Sequence, residues 1–187
     1  MNTPGHYIIN LALLGKTITT FHNTAIALGA ILPDLPIFSF YLINKYIYHL
    51  PETEIWSKAY YESFWQNIIA SFHSIPLALL GTLICYYFNW QTGVLLFVSM
   101  ICHSLFDLPV HNNDAHRHFY PFSDYRFISP FSYWDKNHYG QIVAFLEMLL
   151  ILVSSPLAIS LLNLPWTKGI VILIDLYYLL LYYRFYL

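Results

Sequence analysis

The run His103-Ser104-Leu105-Phe106-Asp107-Leu108-Pro109-Val110-His111 sets three metal-competent side chains at successive i, i+4 positions. On a helix the first two fall on one face with Cβ atoms roughly 6 Å apart, which suits a shared cation or a hydrogen-bonded His/carboxylate pair. Pro109 disfavours helical backbone at Leu108, so the helix should end or kink there. A straight continuation would leave His111 about 12 Å from His103, whereas a break lets it fold back toward the same ion. The segment that follows, His111-Asn112-Asn113-Asp114-Ala115-His116-Arg117-His118, is dense in further ligands and bases. Asp114 and His116 are the candidate proton-transfer groups there, and Arg117 or Arg126 could steady an anionic substrate. Asn112-Asn113-Asp114 also reads as a turn or cap, and His118 beside Phe119 as an interfacial residue.

Three more polar positions belong to the same question. Asp34 lies between Pro33 and Pro36, where a helix break frees backbone groups and a carboxylate can enter a cavity or cap the next helix. His73 and His103 lie in adjacent apolar segments joined by Asn89-Trp90-Gln91, so an antiparallel pair places them at similar depth and able to face each other. His6 and Asn10 share one face of an amino-terminal helix and offer a ligand and a supporting partner, or an exposed polar stripe. Ionisable groups inside apolar segments cost several kcal/mol, about the worth of a lost buried interaction, unless they are paired or metal-bound.

The surroundings are lipid-compatible. Of 187 residues, 58% are hydrophobic and only 10% charged, and the mean hydropathy is +0.52. A soluble fold of this composition would have too few polar groups to cover its surface. The net charge of -2 and the absence of a Lys/Arg cluster give no electrostatic footprint for nucleic acid. Cys85 and Cys102 sit in apolar runs without paired spacing and read as buried free thiols. The amino end, with Pro4, Gly5 and His6, lacks the pattern of a cleavable signal.

Four segments, 65–88, 92–110, 141–162 and 167–187, have the roughly 20 apolar residues that a bilayer span requires. A fifth, 24–43, is interrupted by Pro33-Asp34-Leu35-Pro36 and reads as a span, a pair of short helices or a re-entrant element. Asn2-Thr3-Pro4 supplies a cap and first-turn proline for a helix running to about Gly15. Residues 44–64 mix Lys45, Glu52, Glu54, Lys58 and Glu62 with aromatics, as expected at headgroup level. The 111–140 segment, with its Pro, Ser and aromatic turn signals, reads as a long ordered loop. Glu147 and Asp175 are isolated in the last two spans, where Arg117, Arg126 or a histidine could pair with them. The expected fold is therefore an all-α, multi-pass membrane helical bundle of four or five spans, one domain over 1–187.

Counting four spans, Lys16, Lys45, Lys58, Arg117, Arg126, Lys136 and Arg184 share the side of the long loop, opposite Lys168. If 24–43 also spans, Lys16 changes sides. Either distribution puts the loop, and the site beside it, in the cytoplasm. No Gly-rich phosphate loop, Gly-x-Ser-x-Gly elbow or His-Glu-x-x-His run is present, so nucleotide, serine-hydrolase and zincin chemistries lack support.

Several pieces resemble the bacterial inner-membrane metal-dependent hydrolase-like family, described as LexA-binding, inner-membrane-associated hydrolases. They are His6, Gly29-Ala30-Ile31-Leu32-Pro33-Asp34, Phe72-His73-Ser74-Ile75, His103-Ser104-Leu105-Phe106-Asp107 and Pro121-Phe122-Ser123. The order is that of the family, over about the first two thirds of the chain. The resemblance implies a helical protein of the bacterial inner membrane whose His and Asp residues bind divalent metal, with hydrolysis inferred for the family. The His-x-x-x-Asp helix and subsequent His are also similar, more distantly, to bacterial zinc-dependent phospholipase C. Ile68 stands where the family has a further His, a departure that weighs against a two-metal site.

The expected ligand set is His73, His103 and Asp107, joined by Asp34 and by His6 or His111, around zinc or a similar divalent ion. Such an ion lowers the pKa of water and so supports hydrolysis at neutral pH. The expected substrate is an ester or phosphoester, lipid-like, met at the bilayer surface. Two other readings are open: a membrane scaffold with a structural ion, and a haem carrier using His73 and His103 as axial ligands.

Overall fold

The computed structural model describes residues 1–15 and 20–186; Lys16 of the charge count and Leu187 of the last segment lie outside them. Among the described residues the chain is helical with no strand: α1 (Thr3–Leu14), α2 (Thr20–Ile31), α3 (Leu35–Leu42), α4 (Glu52–Ser57), α5 (Ser63–Phe72), α6 (Ile75–Tyr87), α7 (Gln91–Asp107), α8 (Gly140–Leu161) and α9 (Pro165–Tyr186). Four stretches are long and apolar enough to cross a membrane: His22–Ile47, Gln91–Val110, Gly140–Leu161 and Pro165–Tyr186. Their outward faces carry exposed Leu, Ile and Val, as on Leu149, Val153, Leu173 and Leu180.

Two segments exchange the characters that their prolines suggest. The 24–43 stretch continues as one helical run, because Pro33 enters a 3-10 turn at Leu32–Asp34 and Pro36 occupies the first turn of α3. Proline at those positions forfeits only an N–H that had no helical partner. The 65–88 stretch is instead a bent pair, α5 and α6 meeting at 45°. Ser74 causes the break: its Oγ accepts the Leu77 N–H at 3.1 Å and caps α6, while Pro76 fills the first turn.

α1 is the internal strut, burying Gly5, His6, Ile8, Ile9, Asn10 and Leu11. Its first turn is secured unexpectedly. Asn2 occupies the cap position without a side-chain cap bond, and instead its N–H and Nδ2 donate to Glu147 Oε1 at 2.8 and 3.3 Å. Tyr178 donates to the same oxygen at 2.7 Å, so Glu147 fastens α1 to α8 and α9. Asp175 accepts from Ser155 Oγ at 2.6 Å. Neither carboxylate meets Arg117, Arg126 or a histidine.

Asn10 is wholly buried and is no surface stripe; its Nδ2 donates to Ser99 O and Oγ at 2.8 and 2.9 Å, and Ser99 Oγ donates to Ile26 O at 2.7 Å. These bonds tie α1, α2 and α7 together. α2 and α7 also approach closely at Gly29, where a Cβ would stand 2.2 Å from Leu96 O and 2.7 Å from Ser99 Cβ. Small residues permit such contact between apolar helices.

At the same end, Phe40 of α3 is fully buried in a cluster with Trp56, Tyr60 and Trp65, ring centroids 5.3 to 5.9 Å away. The long loop closes the other flank. Arg126 donates to Ala115 O at 2.7 Å and to Gln66 Oε1 at 2.6 Å, and Arg117 to Asp124 at 2.7 Å and Asn67 at 2.8 Å. Both guanidinium groups therefore brace the loop against α5. Cys85 and Cys102 are free thiols, the first buried and the second partly so.

Candidate metal centre

The break after α5 makes His73 the residue that closes that helix. Its Nδ1 is turned to Ile69 O at 3.0 Å, its carbonyl accepts from Ser104 Oγ at 2.9 Å, and its ring is fully buried. His103, one turn before α7 ends, directs Nδ1 to Ala30 O at 2.8 Å. A carbonyl at Nδ1 fixes the proton there and leaves Nε2 with a free lone pair. The two Nε2 atoms converge on one point without a hydrogen-bond partner at either.

Two carboxylates complete that point. Asp34 Oδ1 lies 3.4 Å from His73 Nε2 and 3.6 Å from His103 Nε2; Asp107 Oδ2 lies 3.1 Å from His103 Nε2 and 4.0 Å from His73 Nε2. Ligands held about 2.0–2.2 Å from a tetrahedral ion stand roughly 3.3–3.6 Å from one another, so these spacings fit a cation between them. Buried Asp34, His73, His103 and Asp107 thus lie close enough to hold a metal ion. Thr3 Oγ1 donates to Asp34 Oδ2 at 2.5 Å, a supporting bond that the sequence offered no means to anticipate. Asp34 makes no side-chain cap bond to α3, so the cavity reading of this residue is the one realised.

His111 does fold back. After the 3-10 turn Leu108–Val110 the backbone becomes extended at His111, and Ser129 N and Oγ secure the turn by donating to His111 O at 3.0 Å and Pro109 O at 2.6 Å. It arrives on the opposite oxygen of Asp107, however, with Nε2 3.2 Å from Oδ1. There, Asp107, His111 and His116 form a second group with mutually close donor atoms. The expectation of one shared ion through His111 is corrected accordingly: Asp107 stands between two groups, facing one with each oxygen. The second group does not use the position of Ile68.

His6 belongs to neither group. Its ring stacks on His103 with centroids 3.7 Å apart and its Nε2 lies 2.9 Å from Asp107 Oδ1. The Met1 amine also approaches Asp107 Oδ1, at 2.8 Å, and His111 Nε2, at 2.9 Å. Asp114 Oδ2 sits 3.0 Å from His111 Nδ1 and accepts from Trp134 Nε1 at 3.1 Å, so it orients His111. His116 stacks on His73, centroids 4.0 Å apart. His118 is buried, not interfacial, with Nδ1 3.3 Å from His73 O.

The loop groups are tuned by this packing. Burial and the facing His73 hold His116 well below the ordinary imidazole range, and the same causes lower His118 to about 4. Burial and the Met1 amine oppose protonation of His111, but Asp107 and Asp114 outweigh them and hold it above its usual value. Burial works against the Asp114 carboxylate, and the bonds from His111 and Trp134 nevertheless keep it below the usual carboxylate range.

His116 and His118 are the residues whose place was least legible. Their i, i+2 spacing just beyond His111 was the available signal. No protein-family model matches the chain, no curated protein matches its sequence and no solved structure matches its fold.

Proposed function

We propose that this protein is an integral membrane, metal-dependent hydrolase acting on an ester or phosphoester of a lipid-like substrate at the cytoplasmic face. The observation that carries the reading is the convergence of two partnerless Nε2 atoms and two carboxylates, with both Nδ1 atoms tied to carbonyls. That donor set suits zinc, and a divalent ion there would polarise an ester or phosphoryl oxygen and lower the pKa of water. The ordered motif resemblance supports the same class.

The chain's own residues supply the rest. Asp34, His73, His103 and Asp107 would hold the ion. A cavity of about 540 Å³ reaches Asp34, His111, Asp114 and His116 past Thr3 and Trp56, which gives substrate a path to them. Asp114 steadies His111, and His116, which lines this cavity, would be the proton-transfer group. Arg117 and Arg126 are engaged in bracing the loop and are left out of substrate binding. Lys45, Lys58, Arg117, Arg126, Lys136 and Arg184 stand at the site's end of the bundle, opposite Lys168, which supports a cytoplasmic site. A haem between His73 and His103 is disfavoured, since their centroids are 5.3 Å apart and His6 and His116 cover their faces.

The test is metal analysis of the purified protein, followed by a panel of phosphomonoesters, phosphodiesters and carboxylic esters. Metal should be lost in His103→Ala and Asp107→Ala, and normal content in both would remove the assigned site. Bound metal without cleavage of any substrate would favour a scaffold with a structural ion. Two ions per chain would give His116 a ligand's role in place of proton transfer.

A further inference from the structure

Beside the polar cavity lies a second, of about 520 Å³, between α2 and α9 with α1 as its floor; Tyr7, Ala27, Ile31, Ile170 and Ile174 line it. Its volume is that of a small-ligand site. Its walls are almost wholly apolar, and it opens on the outward surface of the bundle, where Ile31, Phe38 and Trp166 are exposed. Thr3 and Phe38 line both cavities. Thr3 is also the residue that donates to Asp34, so one end of the apolar groove lies against the candidate metal ligands.

We infer that this groove receives a single hydrocarbon chain of an amphiphile that enters sideways from the bilayer, with its anionic ester head carried past Thr3 to the His/Asp centre. The inference rests on the reading of that centre as metal-dependent and deepens it by naming the substrate class: a single-chain phosphate ester. The continuity of the two cavities selects this occupant. A bilayer lipid that merely coats α2 and α9 has no reason to respond to metal, whereas a molecule spanning both cavities does. A soluble head alone would leave the groove without a partner.

The probe is an alkyl phosphonate carrying a diazirine midway along its chain, which cannot be hydrolysed and so reports binding alone. The full chain is labelled in lipid nanodiscs, with zinc or after chelation, and adducts are mapped by peptide mass spectrometry. Adducts should concentrate around Ala27 and Ile170, with half-saturation about tenfold tighter when zinc is present. Ala27→Trp, which fills the groove, should weaken half-saturation about tenfold, as expected for displacing roughly two buried methylenes, while zinc content stays unchanged. Ile170→Trp should act alike and guards against a folding defect in the first variant.

Labelling no denser there than at Leu80 and Leu83 on α6, or indifferent to zinc or to both tryptophans, would overturn the inference. Groove labelling with these responses but no turnover of any ester supports the inference and removes the hydrolase. Turnover without groove labelling overturns the inference alone.

Discussion

Ser74→Ala tests whether the corner between α5 and α6 is what presents His73. The Ser74 hydroxyl accepts the Leu77 N–H at 3.1 Å and donates to the carbonyl of Tyr120, joining the start of α6 to the long loop. Losing an N-cap costs about 1 kcal/mol, and leaving a part-buried carbonyl without its donor costs about 1 kcal/mol more, for a total of about 2 kcal/mol. The effect should reach the metal centre, because His73 is the preceding residue and a ligand freed by a fraction of an ångström binds about tenfold more weakly. Reversible unfolding in mixed micelles measures the first quantity, and zinc competition against a chromophoric chelator measures the second. Ser74→Thr keeps the hydroxyl and should remain close to wild type in both. A Ser74→Ala protein within about 0.5 kcal/mol of wild type, with unchanged zinc affinity, would mean that the Ser74 corner does not position His73.

Gly29→Ala should destabilise the fold by about 1–3 kcal/mol in the same unfolding assay, since its Cβ would meet Leu96 O at 2.2 Å; it should also weaken zinc binding by displacing Ala30 O from His103. Arg126→Ala should cost about 2 kcal/mol and expose the 111–140 loop to limited proteolysis, because Ala115 O and Gln66 Oε1 lose a charged donor. Asp114→Asn should leave zinc content at the Asp34, His73, His103 and Asp107 group unchanged and lower ester turnover about tenfold, as His111 loses its orienting carboxylate.

The apolar runs and the His103/Asp107 face were legible because both follow from one-dimensional periodicity. Depth matching of His73 and His103 was legible too, since the short Asn89-Trp90-Gln91 connection leaves little freedom. Prolines were the weak point. Pro33 and Pro36 look like breakers but occupy turns where the missing N–H has no helical partner, while the true bend comes from Ser74, whose capping role depends on Tyr120 across the fold. Long-range bonds of that kind leave no local trace, and the same holds for Thr3 on Asp34 and Asn2 on Glu147. The split of the cluster about the two oxygens of Asp107 likewise depends on how the loop returns after Pro109, which the residue types alone do not set.

X-ray absorption at the zinc edge of the purified, zinc-loaded protein reads the ligand set of the His/Asp centre itself. Nitrogen and oxygen should stand near 2.0–2.1 Å from the ion, with the outer scattering of imidazole, and this signal should be lost when His73 and His103 are both replaced by alanine. A protein that retains no zinc, or one whose shell contains sulfur near 2.3 Å from Cys102 or Cys85, would contradict that ligand set.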